Sequence, residues 1–188
     1  MRKIVVCSRV SLDGYFAGPN GELHEWAVTD PNVDAAWHEL MNPDTILFGR
    51  VTYQQFEDFW PKVEKNPDSP KELRKLADEL SEMTKVVFSR TLKDVTWENS
   101  KLIKDNLVGE VKKLKQGDGA DITIFGSGTI VQQLADEGLI DEYLLAITPI
   151  VLGEGKSFFK DVHQFEVELL EERDFKSGNV VLHYRTAK

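Results

Sequence analysis

Short apolar runs recur along the chain, and between them apolar residues return every three or four positions. The short runs lack a regular alternation of apolar and polar residues, which is typical of strands buried on both faces of a sheet. They predict strands at residues 4–7, 46–48, 86–88, 122–125, 143–147, 165–175 and 180–184. The helical spacing predicts helices at residues 31–42, 52–59, 69–83, 106–115 and 129–137.

The order of these elements predicts a three-layer α/β fold. Strands that alternate with helices favour a mostly parallel central sheet with helices on both faces. The last two strands are joined by the short Lys176-Ser177-Gly178-Asn179 turn, so we expect an antiparallel C-terminal hairpin. No repeat or composition shift marks a boundary, and we expect a single domain over residues 1–188.

Helix ends and one connection can also be predicted from local residues. Asp30 or Asn32 can cap the first helix, and Ser69 followed by Pro70 is typical of a helix start. The Lys- and Pro-rich stretch 58–70 is the best candidate for an exposed connection.

The chain is acidic, with 23 Lys and Arg against 32 Asp and Glu and a formal net charge of −9. This argues against general binding to nucleic acid or an anionic membrane, because each phosphate contact requires a nearby cation. The single cysteine, Cys7, excludes an internal disulfide and a multi-cysteine zinc site. The first apolar run is too short for a signal peptide, and no stretch approaches the roughly 20 apolar residues of a membrane span, so we expect a cytoplasmic protein.

Three predicted strands run into turns that carry glycine, arginine and hydroxyl side chains. In open α/β sheets, ligands bind beyond the carboxyl ends of the strands. Helix N-termini supply free amides, and arginine donates two hydrogen bonds at once, so each turn suits a phosphate. The three turns hold Gly49, Arg50 and Thr52; Ser89, Arg90 and Thr91; and Gly126, Ser127, Gly128, Thr129 and Ile130. Each turn alone also fits an ordinary strand end, but together they favour one site for a phosphate-bearing ligand.

Other motifs are incomplete. The Gly155-Lys156-Ser157 segment lacks the first glycine of a P-loop, since Ile150 stands there. The Gly126-Ser127-Gly128 turn lacks the spacing of a nucleophile elbow. The four histidines show no metal-ligand spacing, and His24-Glu25 lacks the second histidine of a zinc protease, so we expect no metal.

Several segments occur in the order found in a known family. They are Ser11-Leu12-Asp13-Gly14-Tyr15, Leu47-Phe48-Gly49-Arg50-Val51-Thr52-Tyr53, Phe88-Ser89-Arg90-Thr91, Phe125-Gly126-Ser127-Gly128-Thr129, Gly138-Leu139-Ile140-Asp141-Glu142-Tyr143 and Pro149-Ile150-Val151-Leu152-Gly153-Glu154-Gly155. Over nearly its whole length the chain resembles the dihydrofolate reductase superfamily. It is most similar to stand-alone proteins that resemble the C-terminal reductase domain of the bifunctional riboflavin biosynthesis protein.

The resemblance implies a dihydrofolate reductase-like fold, an NADPH cofactor and a homodimer. At the matching positions, the first turn would hold the pyrophosphate region of the cofactor. Ser89 and Arg90, with Thr91 beside them, would contact the adenosine 2′-phosphate, and the 126–130 turn would hold the phosphates and the nicotinamide side. The loop from Val10 to Ala17, which contains Leu12, Asp13 and Gly14, would cover the nicotinamide ring.

Two positions depart from the family pattern. Glu25-Trp26 stands where dihydrofolate reductases carry a Pro-Trp pair. The acid that contacts folate in those enzymes falls near Asp34, with a slightly different spacing to Gly49. Asp34 is therefore either a proton donor or a solvated carboxylate in the first turn of a helix.

We expect an NADPH-dependent reductase that transfers hydride to a C=N or C=O carbon of a small pterin- or pyrimidine-like heterocycle. One alternative is a nucleotide-binding module of the same fold without turnover. Another is an interaction protein that assembles through the apolar stretch 143–152.

Overall fold

The computed structural model describes residues 1–22 and 26–187. The His24-Glu25 motif and the family departure at Glu25 lie outside the described residues. The strands are β1 (Ile4–Ser11), β2 (Tyr15–Ala17), β3 (Pro43–Gly49), β4 (Thr84–Phe88), β5 (Ser100–Ile103), β6 (Asp121–Phe125), β7 (Glu142–Thr148), β8 (Lys156–Ser157), β9 (Val167–Asp174) and β10 (Val180–Thr186). The helices are α1 (Pro31–Leu40), α2 (Arg50–Lys65), α3 (Lys71–Glu82), α4 (Leu107–Gln116) and α5 (Gly128–Asp136).

The central sheet has the strand order β5-β4-β3-β6-β1-β7-β10-β9. All neighbours from β5 to β7 run parallel, whereas β10 is antiparallel to both β7 and β9. Gly178, at φ +86°, allows the tight turn between β9 and β10. The mostly parallel α/β sheet and the antiparallel C-terminal hairpin confirm the predicted fold class.

The two faces of the sheet are covered by different helices. Along β1, Ile4, Val6 and Val10 pack in the core under α4 and α5, whereas Val5 and Cys7 pack in the core under α1. Helices α2 and α3 cover β3 and β4 on the α1 side. Because successive strand side chains point to opposite faces, strands buried on both sides need apolar residues at nearly every position. That requirement explains the short unbroken apolar runs of the sequence.

Two local predictions are wrong. Helix α2 runs through Pro61 to Lys65 instead of ending near Phe59, so the exposed connection is shorter than the predicted 58–70. Burial of Tyr53 and Val63 on one helical face outweighs the hydrogen bond lost at the proline. Ser69 also does not cap α3, because Pro70 occupies the N-cap position without a side-chain hydrogen bond. Asp30 caps α1 as predicted, accepting a hydrogen bond from the Asn32 amide at 2.9 Å.

The first half of the apolar stretch 143–152 is largely buried, although Val151 near its end is 65% exposed. Its strand, β7, lies inside the sheet between β1 and β10. Tyr143, Leu144 and Ala146 are buried there, so they are occupied by the core of their own chain. In the described part of the chain, no helix is long and apolar enough to cross a membrane.

Candidate active site

A cleft of about 700 Å³ opens at the carboxyl ends of β3, β4, β5 and β6. It brings together residues from all three predicted phosphate turns. The turn residues that line it are Gly49, Arg50, Thr52, Ser89, Arg90, Ser127, Gly128, Thr129 and Ile130. The parallel direction of these strands explains the convergence, since parallel strands deliver their carboxyl ends to the same edge of a sheet.

The first and third turns are joined by a direct hydrogen bond. The Gly49 amide, at the end of β3, donates to Ser127 Oγ at 3.1 Å in a buried position. Ser127 adopts the left-handed conformation with φ +51°, which is uncommon for a residue with a side chain. Its carbonyl accepts a hydrogen bond from the Ile130 amide at 2.8 Å. The strained backbone of Ser127 is therefore held by contacts at both its side chain and its carbonyl.

Three helices begin at the cleft. Arg50 starts α2, Leu107 starts α4 and Gly128 starts α5, and all three residues line the cleft. Neither α2 nor α5 has a side-chain cap at its N-terminus. The first amides of a helix lack partners within the helix and carry its positive dipole end, so they favour an anion. The cleft therefore suits a ligand with several phosphate groups.

The second turn supplies an exposed cation, Arg90. The Arg90 side chain is 82% exposed, and its Nε donates to Asp105 Oδ1 at 3.1 Å. Ser89 Oγ accepts hydrogen bonds from the amides of Thr91 and Leu92, so this hydroxyl holds the turn as well as lining the cleft. A guanidinium with a weak, solvated partner can exchange that partner for a phosphate at little cost.

Phe16 closes one end of the cleft. Its ring lies so close to Gly128 that a Cβ on that residue would be 2.3 Å from Phe16 Cζ. The ring also packs edge-on against Phe158, with centroids 6.0 Å apart. The absence of a side chain at Gly128 is therefore required for this loop to lie over the start of α5.

Some predicted site residues lie outside the lining of the cleft. Leu12 is 66% exposed, and Gly14 accepts a hydrogen bond from the Phe158 amide through its carbonyl. Asp13 accepts from the Leu152 and Gly153 amides, at 3.1 and 2.8 Å, so these residues fix the loop that carries Phe16. Thr91 and Gly126 adjoin lining residues without lining the cleft themselves.

Asp34 also lies away from the cleft. It sits in the first turn of α1, on the other face of the sheet from α5, and its Oδ1 pairs with Arg9 Nη2 at 2.5 Å. Burial raises the pKa of Asp34 above its ordinary value, while the charges of Arg9 and His38 oppose that rise. Its side chain is nevertheless 51% exposed, which leaves the carboxyl accessible from solvent.

Part of the cleft is not predicted by the sequence pattern. Lys104, Asp105 and Asn106 follow β5, a strand that was not predicted because Ser100–Ile103 is short and half polar. Lys156, next to the mini-strand β8, adds a further cation to the lining. The apolar pair Leu102 and Ile103, followed by the polar residues 104–106, is the sequence feature that could have indicated this strand and its turn. Within the residues that can be described, no group of three His, Cys, Asp or Glu is arranged to hold a metal ion.

Comparisons with known proteins agree with this architecture. The family model of the RibD C-terminal domain matches residues 2–181. The uncharacterized protein YyaP of Bacillus subtilis (strain 168) is 39% identical over 185 residues, covering 97% of this chain and 94% of that protein. A solved structure from Shewanella sp. PV-4, whose name assigns it provisionally to riboflavin biosynthesis, is 24% identical with a TM-score of 0.74 over 100% of both chains. Dihydrofolate reductase from Enterococcus faecalis, complexed with NADP(H), is 15% identical with a TM-score of 0.65, covering 99% of this chain and 97% of that chain.

Proposed function

The chain belongs to the RibD C-terminal domain family, and on that basis we propose that it is an NADPH-dependent reductase of a small pterin- or pyrimidine-like heterocycle. The observation that carries the proposal is the convergence of three turns and three helix N-termini on one cleft of about 700 Å³. This donor-rich cleft suits a dinucleotide that carries a pyrophosphate and a 2′-phosphate. The fold that the chain shares with an NADP(H)-complexed dihydrofolate reductase supports the same cofactor.

Each turn at the cleft is assigned a different part of the cofactor. Gly49, Arg50 and Thr52 hold the pyrophosphate region, and Ser89 and Arg90, with Thr91 beside them, hold the adenosine 2′-phosphate. Residues 126–130 hold the remaining phosphates and the nicotinamide side. The loop with Leu12, Asp13 and Gly14 presents Phe16 to the cleft, where the ring excludes water.

When bound, NADPH supplies a hydride from its nicotinamide C4 to a C=N or C=O carbon of the substrate. The protein positions the two rings and keeps water away from them. The matching proton comes from Asp34 or from a bound water molecule. The burial that raises the pKa of the Asp34 carboxyl favours a proton there, whereas the pairing of Asp34 with Arg9 and its place outside the cleft favour the water.

Arg90→Ala tests the cofactor assignment. A charged hydrogen bond contributes about 1.5–3 kcal/mol, so loss of the 2′-phosphate contact should weaken NADPH binding about 10- to 100-fold. NADH lacks that phosphate, and its affinity should change little. Fluorescence titration of both cofactors measures the difference, with Arg74→Ala on α3, away from the cleft, as the control. Equal losses for NADPH and NADH would remove the 2′-phosphate assignment, and no NADPH binding by the unmodified protein would end the proposal.

A nucleotide-binding module without turnover is the second candidate. It is favoured by the position of Asp34, which is paired with Arg9 and lies outside the cleft. A screen of heterocyclic and carbonyl substrates for NADPH consumption separates the two functions. Robust turnover of any of them excludes the module.

We also propose that the protein is a homodimer, as the resemblance implies. The support is the edge strand β9, which, among the strands of the described residues, pairs only with β10 and exposes apolar side chains. Unpaired apolar edges favour association with another chain.

A further inference from the structure

The arginine of the second turn belongs to a segment without regular structure. Residues 89–99 join β4 to β5 and form neither helix nor strand. The Arg90 side chain is 82% exposed, and that of Asp105, its ion-pair partner, is 76% exposed. An exposed ion pair contributes little, so it does not fix the guanidinium. The place of Arg90 at the cleft therefore depends on the contacts that hold the backbone of the segment.

Glu57 of α2 holds the far end of this segment. Its Oε1 accepts hydrogen bonds from the Thr96 amide at 2.8 Å, the Thr96 hydroxyl at 2.6 Å and the Trp97 amide at 3.1 Å. The Tyr53 hydroxyl donates to the same oxygen at 2.8 Å. Tyr53 and Trp97 are both buried and pack in one core cluster. The carboxylate thus joins the segment to the buried face of α2.

The Glu57 carboxylate is charged, and its contacts go to this segment. Burial opposes its ionisation, but the hydrogen bonds from Thr96, with those from Tyr53 and Trp97, outweigh the burial and lower the pKa of Glu57. Hydrogen bonds to an ionised acceptor are stronger than those between neutral groups. Glu57 lies outside the lining of the cleft, about 10 Å beyond Arg50 along the axis of α2. Its hydrogen bonds therefore act on the segment and not on a ligand.

The near end of the segment is held separately. The Ser89 amide donates to the Ile103 carbonyl at 3.0 Å, and Ser89 Oγ accepts from the Leu92 amide at 3.0 Å. Leu92 packs against the core cluster that contains Trp97. Arg90 lies between the two anchors, so release of the far one frees the segment that carries it.

We infer that Glu57 is a positioning residue that sets the preference of the cleft for a dinucleotide with a 2′-phosphate. The inference rests on the proposed function, because it concerns the subsite assigned to that phosphate. Glu57 acts through Arg90, since without the tie a ligand must order the segment before it meets the guanidinium. NADH carries no 2′-phosphate and does not use this contact. Loss of the tie therefore lowers the affinity for NADPH and spares that for NADH.

Titration of Glu57→Ala with three ligands tests the inference. NADPH and adenosine 2′-monophosphate should each bind about 5- to 20-fold more weakly, because both must order the segment. The affinity for NADH should stay within about 2-fold. Fluorescence measures the two dinucleotides, and calorimetry measures the monophosphate. General damage to the fold would weaken NADPH and NADH alike, so the ratio of the two affinities is the decisive readout.

Two milder variants grade the effect. Glu57→Gln keeps one carbonyl oxygen as an acceptor, and Thr96→Val keeps the amide donor and loses only the hydroxyl. Each should weaken NADPH about 2- to 5-fold, because part of the tie remains. Both decide the question if Glu57→Ala does not show a cooperative thermal transition, since unchanged NADPH affinity in both would overturn the inference.

A double variant shows whether Glu57 acts through Arg90. Two residues that serve the same contact give non-additive losses. In an Arg90→Ala background, Glu57→Ala should therefore reduce NADPH affinity by less than about 2-fold. Additive losses would give Glu57 a role independent of Arg90 and would contradict the inference.

Glu64→Ala is the matched control. Glu64 also lies on α2 and also ties it to a neighbouring element, by accepting a hydrogen bond from the Ser81 hydroxyl of α3 at 3.2 Å. It should leave the ratio of NADPH to NADH affinity unchanged. The same change of ratio in Glu64→Ala, or equal losses of NADPH and NADH in Glu57→Ala, would refute the role of Glu57.

The same titrations separate this inference from the proposed function. If the unmodified protein binds NADPH and Glu57→Ala keeps the same preference over NADH, the role of Glu57 fails alone. If adenosine 2′-monophosphate binds in a manner that depends on Arg90 and Glu57 but NADPH does not bind, the reductase proposal fails alone. If neither ligand binds, both fail.

Discussion

Lys85 is a fully buried cation in the core between the sheet and α3. Its Nζ donates to the carbonyls of Ser81 and Glu98, at 2.6 and 2.9 Å, and lies 4.3 Å from the centroid of the Trp97 ring. Burial lowers the pKa of Lys85 from 10.5 to about 8, against the opposing charges of Glu98 and Glu64. Among residues 1–22 and 26–187, the ammonium is therefore held by carbonyls and a ring, with no carboxylate in contact.

This geometry predicts a pH dependence of stability above pH 8. The pKa of Lys85 in the folded state is about 8, below its ordinary 10.5, so folding releases a proton within this window. Stability therefore rises as pH increases from about 8 to 10.5, by at most about 3.5 kcal/mol, because one pKa unit corresponds to about 1.4 kcal/mol. Below pH 8 the side chain is charged in both states and contributes no pH dependence.

Urea unfolding of the protein and of Lys85→Met across this pH range measures the effect. Other titrating groups are common to both proteins, so they cancel in the difference between the two free energies of unfolding. The difference should shift in favour of the unmodified protein as pH rises. Two parallel pH profiles would show that Lys85 keeps an ordinary pKa when folded.

At the scale of elements, the sequence predicts the buried strands of the sheet better than it predicts the edge strand β5 or the length of helix α2. Unbroken apolar runs identify β1, β3, β4, β6 and β7, because strands buried on both faces need such runs. Strand β5 is not predicted because it lies at the sheet edge and is half polar, and the cleft cation that follows it, Lys104, is therefore not predicted either. Helix α2 continues through Pro61 because tertiary burial of its apolar face outweighs a local breaker.

The candidate site also has features that local residues predict and features that depend on contacts between distant parts of the chain. The phosphate-binding turns at Gly49, Arg90 and Gly128 can be predicted from local residue types, because glycine, arginine and helix N-termini each favour phosphate binding. The hydrogen bond from Gly49 to Ser127 spans distant parts of the chain and depends on strand order, which no local pattern specifies. The pairing of Arg9 with Asp34 is equally non-local.

The loop between β1 and β2 gives a prediction at this scale. Asp13 ties it to the Leu152 and Gly153 amides, while Phe16 of β2 lines the cleft. Hydrogen bonds from the Ser11 hydroxyl and these amides lower the pKa of Asp13, so the tie is complete above the ordinary carboxyl pKa and is lost as pH falls through the lowered value. Asp13→Ala should weaken NADPH about 3- to 10-fold, because the loop must then be ordered on binding.

Fluorescence titration of NADPH measures this effect, and Val151→Ala provides the control. Val151 adjoins Leu152 with a side chain that is 65% exposed, so the substitution leaves the Leu152 and Gly153 amides free to donate to Asp13. Asp13→Asn keeps an acceptor oxygen and should lose less affinity than Asp13→Ala. An unchanged NADPH affinity in Asp13→Ala would show that the loop position does not depend on this carboxylate.

At the scale of the whole molecule, the charge of the cleft is opposite in sign to the net charge of the chain. The chain carries a formal net charge of −9, yet the cleft is lined by Arg50, Arg90, Lys104 and Lys156. Asp105 is the one acidic side chain that lines the cleft in the described part of the chain. An acidic surface with a local basic cleft disfavours large polyanions and still admits a small one, because the interaction falls off within about 10 Å at ordinary salt.

The exposed edge strand β9 leads to a prediction about the oligomeric state of the protein. Strand β9 presents Val167, Leu169 and Leu170 at 42%, 50% and 43% exposure among charged residues, and its unpaired backbone edge is a template for pairing with another chain. A second copy would cover it in both subunits at once, since a two-fold interface uses the same patch twice. Light scattering after size exclusion should give twice the chain mass at micromolar concentration, and Leu169→Lys should shift the protein to a monomer. Phe59→Lys, at an equally exposed apolar position on α2, should leave the mass unchanged, and an unmodified protein that is monomeric would contradict the dimer.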